Sequence, residues 1–112
     1  MNYKSIANDM KTQPTTGDML KDKSASELDK IKQTGSSAEN LLNNSELNTF
    51  INWYCISQYQ ELSSINGFTE EHNAKRVAIA HRLAGVEGFV DYLNRLVKRK
   101  NDVVTYQSKP AI

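Results

Sequence analysis

The sequence has few of the residues that build disulfides, metal centres or catalytic sites. It contains one cysteine, Cys55, and two histidines in 112 residues. A single cysteine forms no intramolecular disulfide, and His72 and His81 lack the i, i+4 spacing of a metal-binding helix. Cys55 falls within a turn of His81 in the helical pairing argued below, but a lone cysteine on an apolar helix face is typical of core packing. We therefore predict no enzyme, no cofactor and no small-molecule substrate.

A charge excess and long apolar runs are also missing. The net charge is +1, from 14 basic and 13 acidic residues, which argues against a protein that coats DNA or an anionic membrane. No stretch approaches the roughly 18 consecutive apolar residues that cross a bilayer. The N-terminus also lacks the apolar region of a signal peptide. We expect a soluble protein that is made in the cytoplasm and has no membrane partner.

The strongest pattern present is an amphipathic helix from Thr69 to Lys100. Its apolar residues recur alternately four and three positions apart, so they share one narrow helix face. They are Ile79, Leu83, Val86, Val90, Leu93 and Val97. Thr69 is a favourable N-cap, and the two acids after it suit the positive end of the helix dipole.

A second, shorter helical pattern begins at Ser45, and Asn66 with Gly67 is expected to close it. Short connections between helices favour antiparallel neighbours. The sequence therefore predicts an all-α fold whose centre is a helical hairpin of residues 45–65 and 70–100, within a hairpin domain of residues 45–101.

The flanking segments are polar. Residues 1–44 hold too few apolar side chains for a core and predict an extended polar arm. Short helices are expected in it near 24–33, ended by Gly35, and near 36–43. Residues 102–112 include the β-prone sequence VVTY and predict an extended tail, which is either loose or added to a partner as an edge strand.

The second hairpin helix is longer than the first and should overhang it by about 15 Å. Leu93, Leu96 and Val97 lie on this overhang, and leaving them in water would forfeit roughly 1.5–3 kcal/mol each. We expect the arm, a neighbouring subunit or a different protein to cover them. Trp53 and Ile56 point away from the hairpin contact and extend the predicted partner-binding surface.

Two glycines inside the long helix, Gly85 and Gly88, each cost about 1 kcal/mol relative to alanine. Gly85 borders the apolar face beside Phe89, which favours close approach of another helix, while a kink or a contact with an outside chain is the alternative. Arg82 interrupts the apolar face. It is expected either to extend its charged end into water or to reach an aromatic ring or a partner's carboxylate.

The only concentration of positive charge is RLVKRK, residues 95–100. Its side chains are candidates for contact with nucleic-acid phosphates or with an acidic partner; they are Arg95, Lys98, Arg99 and Lys100. The structural alternative is a solvated last turn that complements the helix dipole. No aromatic residue interrupts the charges, and no second helix is positioned to enter a DNA groove, so specific DNA reading is not expected.

An aromatic-bearing helix, a short turn and then NAKRVAIAHRLAGVEGFVDYL together resemble the helical hairpins of small proteins encoded by tailed bacteriophages, over residues 46–100. The matching positions are Arg76, Arg82, Ala84, Gly85 and Phe89. The resemblance implies a non-enzymatic accessory component of the virion, made in the host cytoplasm and bound to capsid, portal or neck proteins or to copies of itself. A small cytoplasmic nucleic-acid-binding or regulatory protein is the alternative.

Overall fold

The computed structural model describes residues 20–109, which form three helices and no strand. They are α1 (Ala25–Leu42), α2 (Ser45–Ser63) and α3 (Glu70–Ser108). The all-α fold predicted from the sequence is confirmed. None of these helices is both long and apolar enough to span a membrane.

Each helix begins at a polar N-cap residue in an extended conformation. The side-chain oxygens of Ser24, Asn44 and Thr69 accept a hydrogen bond from the backbone N–H three residues further on. Asn43 and Asn44 alone separate α1 from α2. Because Asn44 caps α2 directly after α1 has ended, the chain continues at once into a new helix.

Both α1 and α2 run antiparallel to α3. Among the described residues, four side-chain hydrogen bonds link α1 and α2 to α3, and they join Lys32 to Gln107, Lys100 to Glu39, and Arg82 to both Gln58 and Glu61. Residue numbers thus rise along α1 and α2 while they fall along α3. The 39 residues of α3 span about 58 Å, which is close to the combined length of α1 and α2. The molecule is a long hairpin whose first arm is broken between α1 and α2.

The half of α3 that was predicted to overhang is covered by α1. Leu93 is only 4 % exposed, and Leu96 and Val97 are half-buried. The buried side of this half follows residues three and four apart, namely Leu93, Leu96, Lys100 and Val103. Of the three coverings expected for the overhang, the arm of the same chain is the one observed, since α1 occupies that place. Leu93 is therefore packed within the chain and is not available to a partner.

Gly35 lies inside α1 and does not end a helix. A Cβ at this position would clash with the Cβ of Lys100 and would lie 2.8 Å from the carbonyl oxygen of Leu96. The glycine therefore allows α1 to approach the backbone of α3. One helix, Ala25–Leu42, replaces the two short helices predicted near 24–33 and 36–43.

The C-terminal segment is helical as far as Ser108, so the predicted extended tail is wrong over this range. Val103 is fully buried against Leu20 and Leu28, with Ile31 and Tyr106 packed around them. Burial of this valine outweighs the weak β-propensity of the VVTY sequence. Residues 1–19 of the predicted arm and residues 110–112 of the predicted tail lie outside the described residues.

Arg76 holds the connection between α2 and α3. Its guanidinium donates to the carbonyl oxygens of Ile65 and Gly67, at 3.3 and 2.6 Å, and to Oδ1 of Asn73 at 2.9 Å. It also lies 4.8 Å from the centre of the Phe68 ring. These contacts give the irregular segment between the two helices a defined shape.

The α2–α3 connection is longer than the sequence suggested. The helix α2 ends at Ser63, before the predicted Asn66–Gly67 cap. Arg82 of α3 lies beside Gln58 and Glu61 of α2.

Candidate protein-binding surface

More large apolar side chains are exposed than buried among the described residues. Six hydrophobic residues form the buried core there, whereas ten large hydrophobic residues are at least 41 % exposed. Five of those ten belong to α2. Because isolated exposed apolar residues are normal but clusters of them mark interaction sites, α2 is the element to examine for function.

Four of the exposed residues on α2 recur at every third position, and we call them the aromatic row. They are Phe50, Trp53, Ile56 and Tyr59, which are 62, 60, 52 and 57 % exposed. Phe50 and Trp53 pack edge to face, with ring centres 5.3 Å apart. Each step of three residues turns by about 60° around the helix, so the row winds from one side of α2 to the other.

The remaining side of α2 faces α3, and most of its apolar residues there are only half-buried. Its half-buried residues are Leu47, Ile51, Cys55 and Leu62. Tyr54, next to this side, is 41 % exposed, and Phe50 belongs to the aromatic row. The helix is thus apolar around most of its circumference, which is typical of a helix buried within an assembly.

Arg82 joins α2 to α3 and is engaged within the chain. Its guanidinium donates to Oε1 of Gln58 at 3.1 Å and lies 3.5 Å from Oε2 of Glu61. Gln58 is 7 % exposed and is the one buried polar side chain among residues 20–109. Arg82 therefore satisfies a buried amide of its own chain, and we no longer assign it to a partner contact.

The surface of α3 that points away from α2 carries very small residues. We call it the back of α3 and define it by Val77, His81, Ala84, Gly85 and Gly88, all of which are exposed. A Cβ placed on either glycine would have no atom within 4 Å. The helix continues through both glycines, so their cost is not explained by a helix end. The close packing predicted at Gly85 does not occur within the described part of the chain.

Phe89 lies beside the back of α3 and is 46 % exposed, while Val77 within it is 53 % exposed. The predicted partner residues Trp53, Ile56, Gly85 and Phe89 therefore all lie on open surface. Phe50, Tyr59 and Val77 are exposed as well and were not among the predicted partner residues. The three-residue spacing of the aromatic row was the signal available for the first two.

The basic segment 95–100 does not form one free positive surface. Nζ of Lys100 lies 2.6 Å from Oε2 of Glu39, and Nζ of Lys98 lies 3.3 Å from Oδ2 of Asp102. Burial lowers the pKa of the Arg99 guanidinium below its ordinary value, and the charge interaction with Tyr92 opposes this shift. The segment is also not the last turn of the helix, because α3 continues to Ser108.

A cavity of about 450 Å³ lies at the α2–α3 turn, between Glu61, Ile65, His72 and Lys75. Its ionisable groups already have neighbours in the chain. Nδ1 of His72 lies 2.6 Å from Oγ1 of Thr69, and Lys75 lies 3.7 Å from Glu71. Within residues 20–109, no group of three His, Cys, Asp or Glu side chains is arranged to hold a metal ion.

The apolar surface of α2 and the back of α3 are thus the two features of the described chain that its own packing leaves unexplained. Comparison of the chain with protein-family models, with curated proteins and with solved structures finds no match.

Proposed function

We propose that this chain is a non-enzymatic structural protein that docks through α2 on larger proteins. In its most specific form, the proposal is an accessory component of a tailed-bacteriophage virion, bound to capsid, portal or neck proteins. The exposure of the aromatic row is the observation that carries it. The phage assignment comes from the sequence resemblance over residues 46–100.

The energetics of the aromatic row support a docking role. Burying a large apolar side chain is worth roughly 1.5–3 kcal/mol, and the four residues of the row are each more than half exposed. Tryptophan and tyrosine are also enriched among the residues that dominate binding energy at interfaces. An exposed surface of this composition on one helix is typical of a protein whose α2 is covered by a binding partner.

The nucleic-acid alternative receives less support. Two of its four candidate side chains, Lys98 and Lys100, are engaged with carboxylates of the same chain. Binding phosphates with Lys100 would require breaking its contact with Glu39. We therefore give the docking role precedence.

The proposal is tested by incorporation of tagged variants into virions. Trp53→Asp places a charge in the middle of the aromatic row, and Ser37→Asp is its matched control on the exposed outer side of α1. The quantity of each chain in purified particles is measured by mass spectrometry, and helix content is measured by circular dichroism. We expect the Trp53 variant to be lost from particles and the Ser37 variant to be retained.

Two results would count against the proposal. Absence of the wild-type chain from purified virions would contradict the virion role. Incorporation of folded Trp53→Asp at the wild-type level would show that α2 is not the docking element.

A further inference from the structure

The helix α2 lies on α3 without a buried apolar side chain of its own. Gln58 is its one buried residue, and it is polar. Across the interface, Ile79 is the only buried residue in the range 70–90 of α3. By contrast, α1 buries Leu28, Gly35 and Ala38. Segments with few buried apolar contacts are the ones that open locally in a native protein, so α2 should leave α3 more easily than α1 does.

One arginine supplies the polar contacts between the two helices. Within the described residues, the side-chain hydrogen bonds and the ion pair that join α2 to α3 all come from Arg82, which lies 3.1 Å from Oε1 of Gln58 and 3.5 Å from Oε2 of Glu61. Both partners lie in the C-terminal half of α2. The guanidinium, the amide and the carboxylate each regain hydrogen bonds to water when the helices separate, so this contact is readily reversible.

The chain on either side of α2 permits such a separation. Asn43 and Asn44 alone connect it to α1, and residues 64–69 connect it to α3. Arg76 keeps the second connection folded by donating to two of its carbonyl oxygens. Six extended residues span up to about 20 Å. Packed helices lie about 8–10 Å apart, so the released connection is long enough for a partner's helix to enter between α2 and α3.

The composition of α2 suits a helix that is covered on every side. Residues 47–60 contain no charged side chain. The aromatic row occupies the outside, and the half-buried side that faces α3 carries Leu47, Ile51 and Cys55. A partner can therefore surround this helix without burying an unpaired charge, which would be costly. In the closed chain, however, α3 occupies the inner side.

From these observations, and resting on the proposed docking function, we propose that Arg76 and Arg82 form a latch that regulates docking. The latch holds α2 closed on α3, and its release lets α2 swing away about Asn43–Asn44 while α1 stays packed on the second half of α3. The closed chain presents the aromatic row alone, whereas the open chain presents the inner side of α2 as well. A partner that needs the open chain binds more weakly in proportion to the rarity of that form.

The first test measures amide hydrogen exchange in the purified full-length chain and needs no partner. A helix of 19 residues is marginal by itself in water, so the amides of α2 exchange once it has left α3. Arg82→Met removes the donors of the latch and keeps an apolar stem. Lys30→Met, on the exposed side of α1, is the control that loses the same charge. Circular dichroism compares helix contents, and Arg82→Lys replaces the methionine variant if its helix content falls.

Exchange in residues 50–62 of α2 is compared with exchange in residues 93–103 of α3, after correction for the intrinsic rates. Arg82→Met should accelerate exchange in α2 about tenfold and leave residues 93–103 unchanged, while Lys30→Met should change neither segment. Equal acceleration of both segments would overturn the inference, since α2 would then open only when the whole chain unfolds. Unchanged exchange in α2 would also overturn it, because Arg82 would then hold nothing in place.

The second test connects the latch to docking. Tagged Arg82→Met competes with the wild-type chain for incorporation into virions, and mass spectrometry measures the ratio in purified particles. Arg82→Met should be enriched by up to the factor found in hydrogen exchange, and Lys30→Met should not be enriched. Equal or lower incorporation of Arg82→Met despite faster exchange would overturn the role of the latch in docking. If the wild-type chain is absent from virions, the proposed function fails, but hydrogen exchange still decides whether the latch exists.

Discussion

Gly35 of α1 lies against the backbone of α3, where a Cβ would come within 2.8 Å of the carbonyl oxygen of Leu96. Gly35→Ala should lower the free energy of unfolding, because pushing the two helices apart costs about 1–3 kcal/mol and exceeds the gain in helix propensity. Urea denaturation followed by circular dichroism measures this change. An alanine variant as stable as the wild type would mean that the helices do not meet at this residue.

Gly88→Ala should raise the free energy of unfolding at protein concentrations where the chain is monomeric. The new methyl group meets no atom within 4 Å, so the helix gains stability of about 1 kcal/mol without a steric cost. The same denaturation experiment measures it, with Gly35→Ala as the contrasting substitution. A destabilised Gly88→Ala monomer would show that this position is packed inside the chain.

The contact between Glu39 and Lys100 should contribute a measurable coupling energy. The two side chains are 44 and 22 % exposed, so solvent screens the pair and we expect about 1 kcal/mol or less. Glu39→Gln, Lys100→Met and the double variant form a double-mutant cycle, in which methionine keeps the apolar stem against Gly35. High salt should reduce the coupling. A coupling energy of zero at low salt would indicate that the pair is not formed in solution.

Arg76→Lys should destabilise the α2–α3 turn even though the charge is kept. Lysine cannot reproduce the planar fork that serves the carbonyl oxygens of Ile65 and Gly67. Hydrogen bonds from a charged donor contribute about 1.5–3 kcal/mol, so a loss of that order in unfolding free energy is expected. Hydrogen exchange of amides in residues 64–69 should accelerate, and unchanged exchange there would argue against this role of Arg76.

Sequence patterns were sufficient for the features that depend on local spacing. The periodic apolar residues of α3, the Thr69 cap and the polarity of α1 all follow from neighbours within one or two turns. Trp53 and Ile56 were likewise correctly placed away from the hairpin contact, because their angular positions on α2 follow from helix geometry.

The features that were missed depend on a partner far along the chain. Gly35 reads as a helix end unless α3 is known to cross it, and the residues that cross it lie more than 60 positions later. Val103 reads as part of a strand until its burial against Leu20 and Leu28 is known. The candidate surface was predicted only in part for the same reason. Leu93 was predicted to bind a partner, but it is covered by α1, and this covering does not follow from the hairpin pattern alone.

The break at Asn43–Asn44 gives the two halves of the molecule different folding requirements. Hydrogen bonds from α3 to α2 and its turn join residues 9 to 24 positions apart, whereas those between α1 and α3 join residues 61 and 75 positions apart. During synthesis α2 can pair with α3 once residues near Arg82 have left the ribosome, but α1 must wait for the later half of α3, from Leu96 to Gln107. A chain that stops short of Val103 would keep its turn but would lack the side chain against which Leu20 and Leu28 pack.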